Sequence, residues 1–390
     1  MTGTPASDAP EDIPAEDIPA ADIPAAAIPT TGALAAGVPA AGVPAAGTLA
    51  ADPAAPAPLD LLAVGETMVM VTPRHGGGLT TDNTFVLRPG GAESNVAALM
   101  ARLGHTTAWA GAVGADPFGE LITGTLRDQG VDVGLVRRDA HRPTAVYFKH
   151  PSDEGTQVFY YRSGSAATAM HTGDVAAWRT RPARVTHLSG ITAAISGQGL
   201  DLVRHLVRDR PLGPAPVSFD VNHRPVLWGP GRGPAELLDL ARHSDIVFVG
   251  RDEAQELWGT SDARSVRDLL PEPAHLLVKD AAVEAVAFTP DGVFRAPARK
   301  VEVVDAVGAG DAFAAGWLSG LLDGRDQETR LRLGHYAASQ VLLSPSDHAD
   351  LPPAHQAVAL LENGPPHTGT TSVPPIEGQA IRVADRSARH

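Results

Sequence analysis

The stretch VEVVDAVGAGDAFAAGWLSGLL, residues 301–322, decides how this chain is read. A β-rich segment ending at Val304 runs into a turn of small residues, Gly308-Ala309-Gly310. A helix then opens at Asp311, with Ala312, Ala315, Leu318 and Leu322 at helical spacing. The first amides of a helix have no partner within it, and the positive end of its dipole faces the turn. Glycines allow close approach to that backbone. The junction is therefore a candidate anion site, able to hold charge developing on a transferred phosphoryl group. Asp311 stands where its carboxylate could take a hydroxyl proton. Alone, GAGD would serve equally as a plain turn and helix cap. Two other phosphate motifs fail. A dinucleotide fingerprint needs a glycine where Phe313 stands, and a Walker loop needs lysine where Glu120 follows Gly119.

Upstream, TFVLRPGGAESNVAALMARLG (84–104) reads as strand, glycine turn and helix, with Val96, Leu99, Met100 and Leu103 on one face. The ordered body starts at Leu59, where LDLLAVGETMVMV (59–71) reads as one buried apolar run. Val146–Tyr161 alternates around a turn at Ser152–Gly155, the pattern of an antiparallel hairpin. VTHLSGI, VSFDVN, DIVFVG, HLLVKD and AVAFTP are further strands, with helices expected over 199–210, 235–243 and 252–258. Strands alternating with helices predict an α/β fold with a mostly parallel central sheet covered on both faces. The hairpin predicts a small β appendage.

Composition bounds the rest. The chain has 390 residues, 43% hydrophobic and 19% charged, enough for a globular core. Its net charge of −14 disfavours nucleic acid. No apolar run reaches the ~18 residues of a membrane span, and no secretory signal is read. The absence of cysteine excludes disulfides and thiolate chemistry and fits a cytoplasmic location. Residues 1–58 carry seven acids, no lysine or arginine, and a proline every few positions, so they read as a disordered tail. Residues 364–390 read the same way, which leaves 59–363 as the working domain.

DAVGAGDAFAAG resembles the second signature of the PfkB/ribokinase family of sugar kinases, and GGAESNVAALMARLG resembles its first, in the same order and at matching separation. The likeness runs from about Leu59 to Leu361. It implies a ribokinase-like three-layer sandwich with a small β lid, here about 70–88 and 142–165, and a lid-mediated homodimer. It implies ATP and Mg²⁺, with Asp311 as catalytic base and the backbone of Gly308, Ala309 and Gly310 as anion hole. Gly91 and Asn95 match its substrate-binding glycine and asparagine.

Finer features are similar to 2-keto-3-deoxygluconate kinases within that family. These are VGETMVMVTP, the Tyr160-Tyr161-Arg162 stretch, the segment FDVNHRPVLW with Arg224, and Tyr147 on the lid side. Two arginine forks suit a carboxylate, and tyrosine hydroxyls suit keto and hydroxyl groups. Arg224 could instead pair with Asp220, and alternation along the strand could leave one of the two tyrosines packed in the lid. The resemblance implies phosphorylation of 2-dehydro-3-deoxy-D-gluconate at its 6-hydroxyl. The alternatives are a fructokinase or ribokinase, or a catalytically faded sugar-acid binder.

Several positions depart from the family pattern. Glu253, expected near Mg²⁺, follows Gly250 where an asparagine is usual. Lys279 is expected to reach phosphate, but Ala281 and Glu284 stand where the family has glycines, and a carboxylate there would oppose phosphate. Ala306 stands where threonine is common. Asp347, in SPSDHADLP, matches a late loop near the nucleotide, with Ser346 in place of its glycine.

Overall fold

The structure, a computed structural model, describes residues 57–152, 155–229, 231–344 and 349–363. The two expected tails, apart from residues 57 and 58, lie outside the described residues, as does Asp347. Nine strands form one sheet in the order Gly292–Pro297, Glu284–Thr289, His275–Asp280, Ile246–Gly250, Val217–Asp220, Ala183–Ser189, Leu59–Val64, Thr107–Ala110 and Val131–Asp132. All neighbours from His275–Asp280 to Val131–Asp132 run parallel, and the first two strands of the order join antiparallel.

The parallel strands are apolar at almost every position because helices cover both faces. Successive side chains feed opposite cores: Leu61, Phe248 and Leu277 enter one, and Leu62, Val247 and Val278 the other. The first core also receives Val96, Leu99, Met100 and Leu103 from the helix Ala92–Arg102, the four residues whose spacing marks its inner face. The helix Ala309–Leu322 is buried from Ala312 to Gly320, which explains why it is apolar all round rather than on one stripe.

A second, four-stranded sheet has the order Phe85–Gly90, Met68–Pro73, Val146–Ser152, Gly155–Tyr161. Its outer pairs are antiparallel and its central pair parallel. The hairpin forms as the alternation predicts, with Val146 opposite Tyr161 and Ser152 opposite Gly155.

Three expectations are corrected. Residues 59–71 are two strands in two different sheets, broken at Gly65-Glu66-Thr67, because polar groups interrupt what reads as one apolar run. VEVV forms no strand. Val303 and Val304 are exposed, and the Val304 amide donates to the carbonyl of Leu342 at 2.8 Å instead of to a ladder. The helix after the glycine turn begins at Ala309, so Asp311 sits inside its first turn rather than at its opening.

Candidate active site

The carboxyl ends of the central strands, the small sheet and the start of the helix Ala309–Leu322 enclose a cavity of about 680 Å³. In open α/β sheets this is the end where ligands collect. Gly308 precedes the helix at φ 83°, a left-handed conformation that glycine adopts without strain. That turn aims the helix start into the cavity. Gly308, Gly310 and Asp311 line it, whereas Ala309 does not, and the Ala309 amide leans back to the Ala306 carbonyl at 3.4 Å. Gly308 and Gly310 thus present the backbone of the turn to the cavity.

Asn95 meets Asp311 from the other signature. Its Nδ2 donates to Asp311 Oδ2 at 2.9 Å, and Asn95 is only 3% exposed. Gly91, which precedes the helix Ala92–Arg102, is required by proximity. A Cβ there would stand 2.3 Å from the Glu66 carbonyl oxygen.

Lys279, one residue before the end of its strand, stands beside the glycine turn. A Cβ on Gly310 would lie 3.4 Å from its Nζ. The ammonium donates to Asp220 Oδ2 at 3.0 Å. Burial alone would depress the Lys279 pKa, but the carboxylates of Asp220 and Glu253 outweigh it and hold the group above the ordinary lysine range. Glu253 is pushed up by burial and by Asp220. Its two oxygens accept backbone N–H bonds, one from Gly250 at 2.9 Å and one from His223. Glu253 thus acts as a helix-start acceptor. Among the described residues no group of three or more acids and histidines forms a metal cage.

On the acceptor side, the small sheet presents alternate residues. Met68, Tyr147, Lys149 and Tyr160 face the cavity, with Tyr147 and Tyr160 rings 5.7 Å apart. Tyr161 takes the opposite face, 65% exposed and edge-on to Phe148 at 5.6 Å, so it is not a cavity residue. Lys149, 4% exposed, bridges to Asp305 at 2.9 Å, tying this sheet to the loop before Gly308. Arg162 and Arg224 both line the cavity, but their partners differ. Arg162 lies 3.4 Å from Glu66 Oε2 and 4.7 Å above the Tyr160 ring. Arg224 is exposed and donates to the His223 carbonyl at 3.1 Å; Asp220, its alternative partner, is held by Lys279.

Two family departures take on a physical meaning. Ala281 has φ 39°, a conformation that favours glycine. Glu284 bonds Arg295 at 2.6 Å across the sheet edge and does not line the cavity, so its charge is neutralised away from it. Glu66 is among the cavity residues that sequence reading missed. Its signal was an acid in the middle of the apolar run 59–73.

The comparisons agree with this geometry. A family model described as pfkB family carbohydrate kinase matches residues 59–354. The chain is 33% identical over 315 residues to a 2-dehydro-3-deoxygluconokinase of Bacillus subtilis (strain 168), covering 78% of this chain and 95% of that relative. It is 30% identical over 306 residues to a 2-dehydro-3-deoxygalactonokinase of Haloferax volcanii, covering 75% and 92%. A solved PfkB protein from Polaromonas sp. JS666 superimposes with a TM-score of 0.69 at 32% identity, covering 77% of this chain and 99% of that one. Two signatures meeting at Asn95 and Asp311, inside a match that spans the whole sheet, lead to one statement: the chain belongs to the PfkB family of carbohydrate kinases.

Proposed function

We propose that this carbohydrate kinase transfers the γ-phosphoryl group of ATP to the 6-hydroxyl of 2-dehydro-3-deoxy-D-gluconate. The carrying observation is the placement of Asp311, held by Asn95 at a glycine-turned helix start, in the same cavity as Arg224, a cation that among the described residues engages only a backbone carbonyl. Asp311 orients the acceptor hydroxyl and takes its proton as the oxygen attacks phosphorus. The Gly308 and Gly310 backbone and Lys279 lie where negative charge develops. Arg224 reads the acceptor's carboxylate through its planar fork, while Tyr147 and Tyr160 supply hydroxyls for its polar groups. Magnesium enters with the nucleotide as the counter-ion of its phosphates.

The small sheet serves as a lid whose closure keeps water from the nucleotide. Its far face exposes Phe85, Leu87, Phe159 and Tyr161, and we assign this apolar fringe to pairing with a second copy. Sedimentation of Phe159→Glu against the native chain tests that assignment, since an unchanged mass removes it. We assign the enzyme to the cytoplasm, where ATP is supplied. The family match begins at residue 59, so the preceding segment is assigned no part in catalysis.

An acceptor panel decides the reading. With 2-dehydro-3-deoxygluconate, its galactonate epimer, fructose and ribose under saturating ATP, kcat/KM is highest for the gluconate. Arg224→Ala lowers that value while sparing the neutral sugars. Faster turnover of fructose or ribose rejects the sugar-acid assignment.

A further inference from the structure

Two buried acids sit near one another below the cavity, and their surroundings differ. Glu93 is fully buried, and its Oε1 accepts from the Thr192 hydroxyl at 2.6 Å, the Ser189 hydroxyl at 2.7 Å and the Ser189 amide at 3.2 Å. Those donors offset the cost of burying it, and it does not line the cavity. Glu66 is 2% exposed and does line the cavity, yet neither of its carboxylate oxygens has a hydrogen-bond partner. Its cationic neighbour among the described residues is Arg162, at 3.4 Å. The Nε and Nη1 of Arg162 also lack hydrogen-bond partners. A carboxylate withdrawn from water without donors is costly, and Glu66 opens onto the cavity, from which a bound molecule can supply them.

We infer that Glu66 is an acceptor-binding residue, taking a hydrogen bond from a hydroxyl of the sugar, and that the Glu66–Arg162 pair reads hydroxyls while Arg224 alone reads the carboxylate. The division follows from charge. Arg162 is already neutralised by Glu66, so a second carboxylate placed on it would meet Glu66 at short range. Arg224 has no acidic partner within 4 Å among the described residues. Met68 and Tyr160 wall the pair: Arg162 Nη2 lies 3.4 Å from Met68 Sδ, and the guanidinium stacks on the Tyr160 ring. The guanidinium is thus fixed from two sides, and it fixes the carboxylate beside it. Hydroxyl recognition by a buried acceptor is selective, because an analogue lacking that hydroxyl leaves the acceptor oxygen unpaired.

The inference rests on the cavity being the acceptor site, and its test separates the two claims. Whichever sugar the native enzyme turns over fastest is used, together with its single-deoxy analogues. Glu66→Met removes the acceptor at nearly constant volume, and Glu66→Gln restores a neutral one. The native enzyme is expected to lose about 10- to 100-fold in kcat/KM when one particular hydroxyl is missing, as for a hydrogen bond to a charged group. Glu66→Met is expected to lose a similar factor on the full sugar and to be indifferent to that same hydroxyl, with the ATP KM unchanged. Glu66→Gln recovers part of the loss, and it carries the comparison if the Met variant does not fold. Equal sensitivity of native and variant enzymes to every missing hydroxyl overturns the inference. So does an acceptor KM within twofold of native in both variants. Preference for a neutral sugar in the native enzyme would reject the sugar-acid reading while leaving the Glu66 test intact on that sugar.

Discussion

Asn95 Nδ2 donates a 2.9 Å hydrogen bond to Asp311 Oδ2, joining two helix starts that lie 216 residues apart in the chain. One amide thereby fixes the rotation of the carboxylate at the cavity floor. Removing it leaves the carboxylate in place with one restraint fewer. Asn95→Ala is expected to lower kcat about 10-fold, the equivalent of one modest hydrogen bond lost from the transition state. The ATP KM stays within twofold. Steady-state kinetics at saturating acceptor check it, and an unchanged kcat contradicts the positioning role.

Lys279 neutralises two acids at once. With Lys279→Met, the Asp220 side chain, 5% exposed, and Glu253 are left as neighbouring carboxylates without their cation. Breaking a buried pair from one side costs about 3 kcal/mol. Urea denaturation is expected to show a loss of that order. Adding Asp220→Asn to the variant recovers part of it, because one of the two facing charges is gone. Equal stability of native and Lys279→Met would show that solvent already screens the cluster.

Glu66 makes stability depend on pH. Burial pushes its carboxyl from 4.5 to about 7, against the pull of Arg162 and with help from Glu93. A raised carboxyl pKa means the folded chain holds a proton that the unfolded chain has released, between about pH 4.5 and 7. The contribution is therefore complete below pH 4.5 and is lost as pH rises to 7. Glu66→Gln mimics the protonated form at every pH. Its stability should match the native chain at pH 4.5 and exceed it at pH 8 by at most about 3 kcal/mol, with the gap opening between. A gap that does not change with pH refutes this.

Much of this was legible in the sequence, for physical reasons that also explain what was not. Periodicity exposed the inner face of Ala92–Arg102, because a helix on a sheet buries one stripe. Strict alternation exposed the hairpin to the residue. The two signatures are local, and they delivered Asn95 and Asp311. Contacts between distant segments have no local signature, so Glu66–Arg162 and Lys149–Asp305 came only from the fold. Tyr160 and Tyr161 are adjacent in sequence, but the pleat sends them to opposite faces. The break at Gly65–Thr67 was hidden because both flanking strands are buried, so apolarity continues across a change of sheet. VEVV misled in the opposite sense, having β-type residues but no neighbouring strand to pair with.

Ala281, at φ 39°, holds a left-handed conformation that costs an L-residue about 1–2 kcal/mol. Glycine removes that strain but adds freedom to the unfolded chain, roughly 0.5–1 kcal/mol. Ala281→Gly is therefore expected to stabilise the fold by about 0.5–1 kcal/mol. Thermal melting registers this as a rise of a few degrees. A lower melting temperature would show that the turn is not strained.

The central claim is that Asp311 activates the acceptor hydroxyl from a helix start that also holds the phosphoryl charge. Its most direct test is single-turnover phosphoryl transfer from ATP to 2-dehydro-3-deoxygluconate by the native enzyme and Asp311→Asn. The account predicts unchanged binding of both substrates and a transfer rate lower by about 10²- to 10⁴-fold in the variant. A variant that transfers phosphate at the native rate would contradict it.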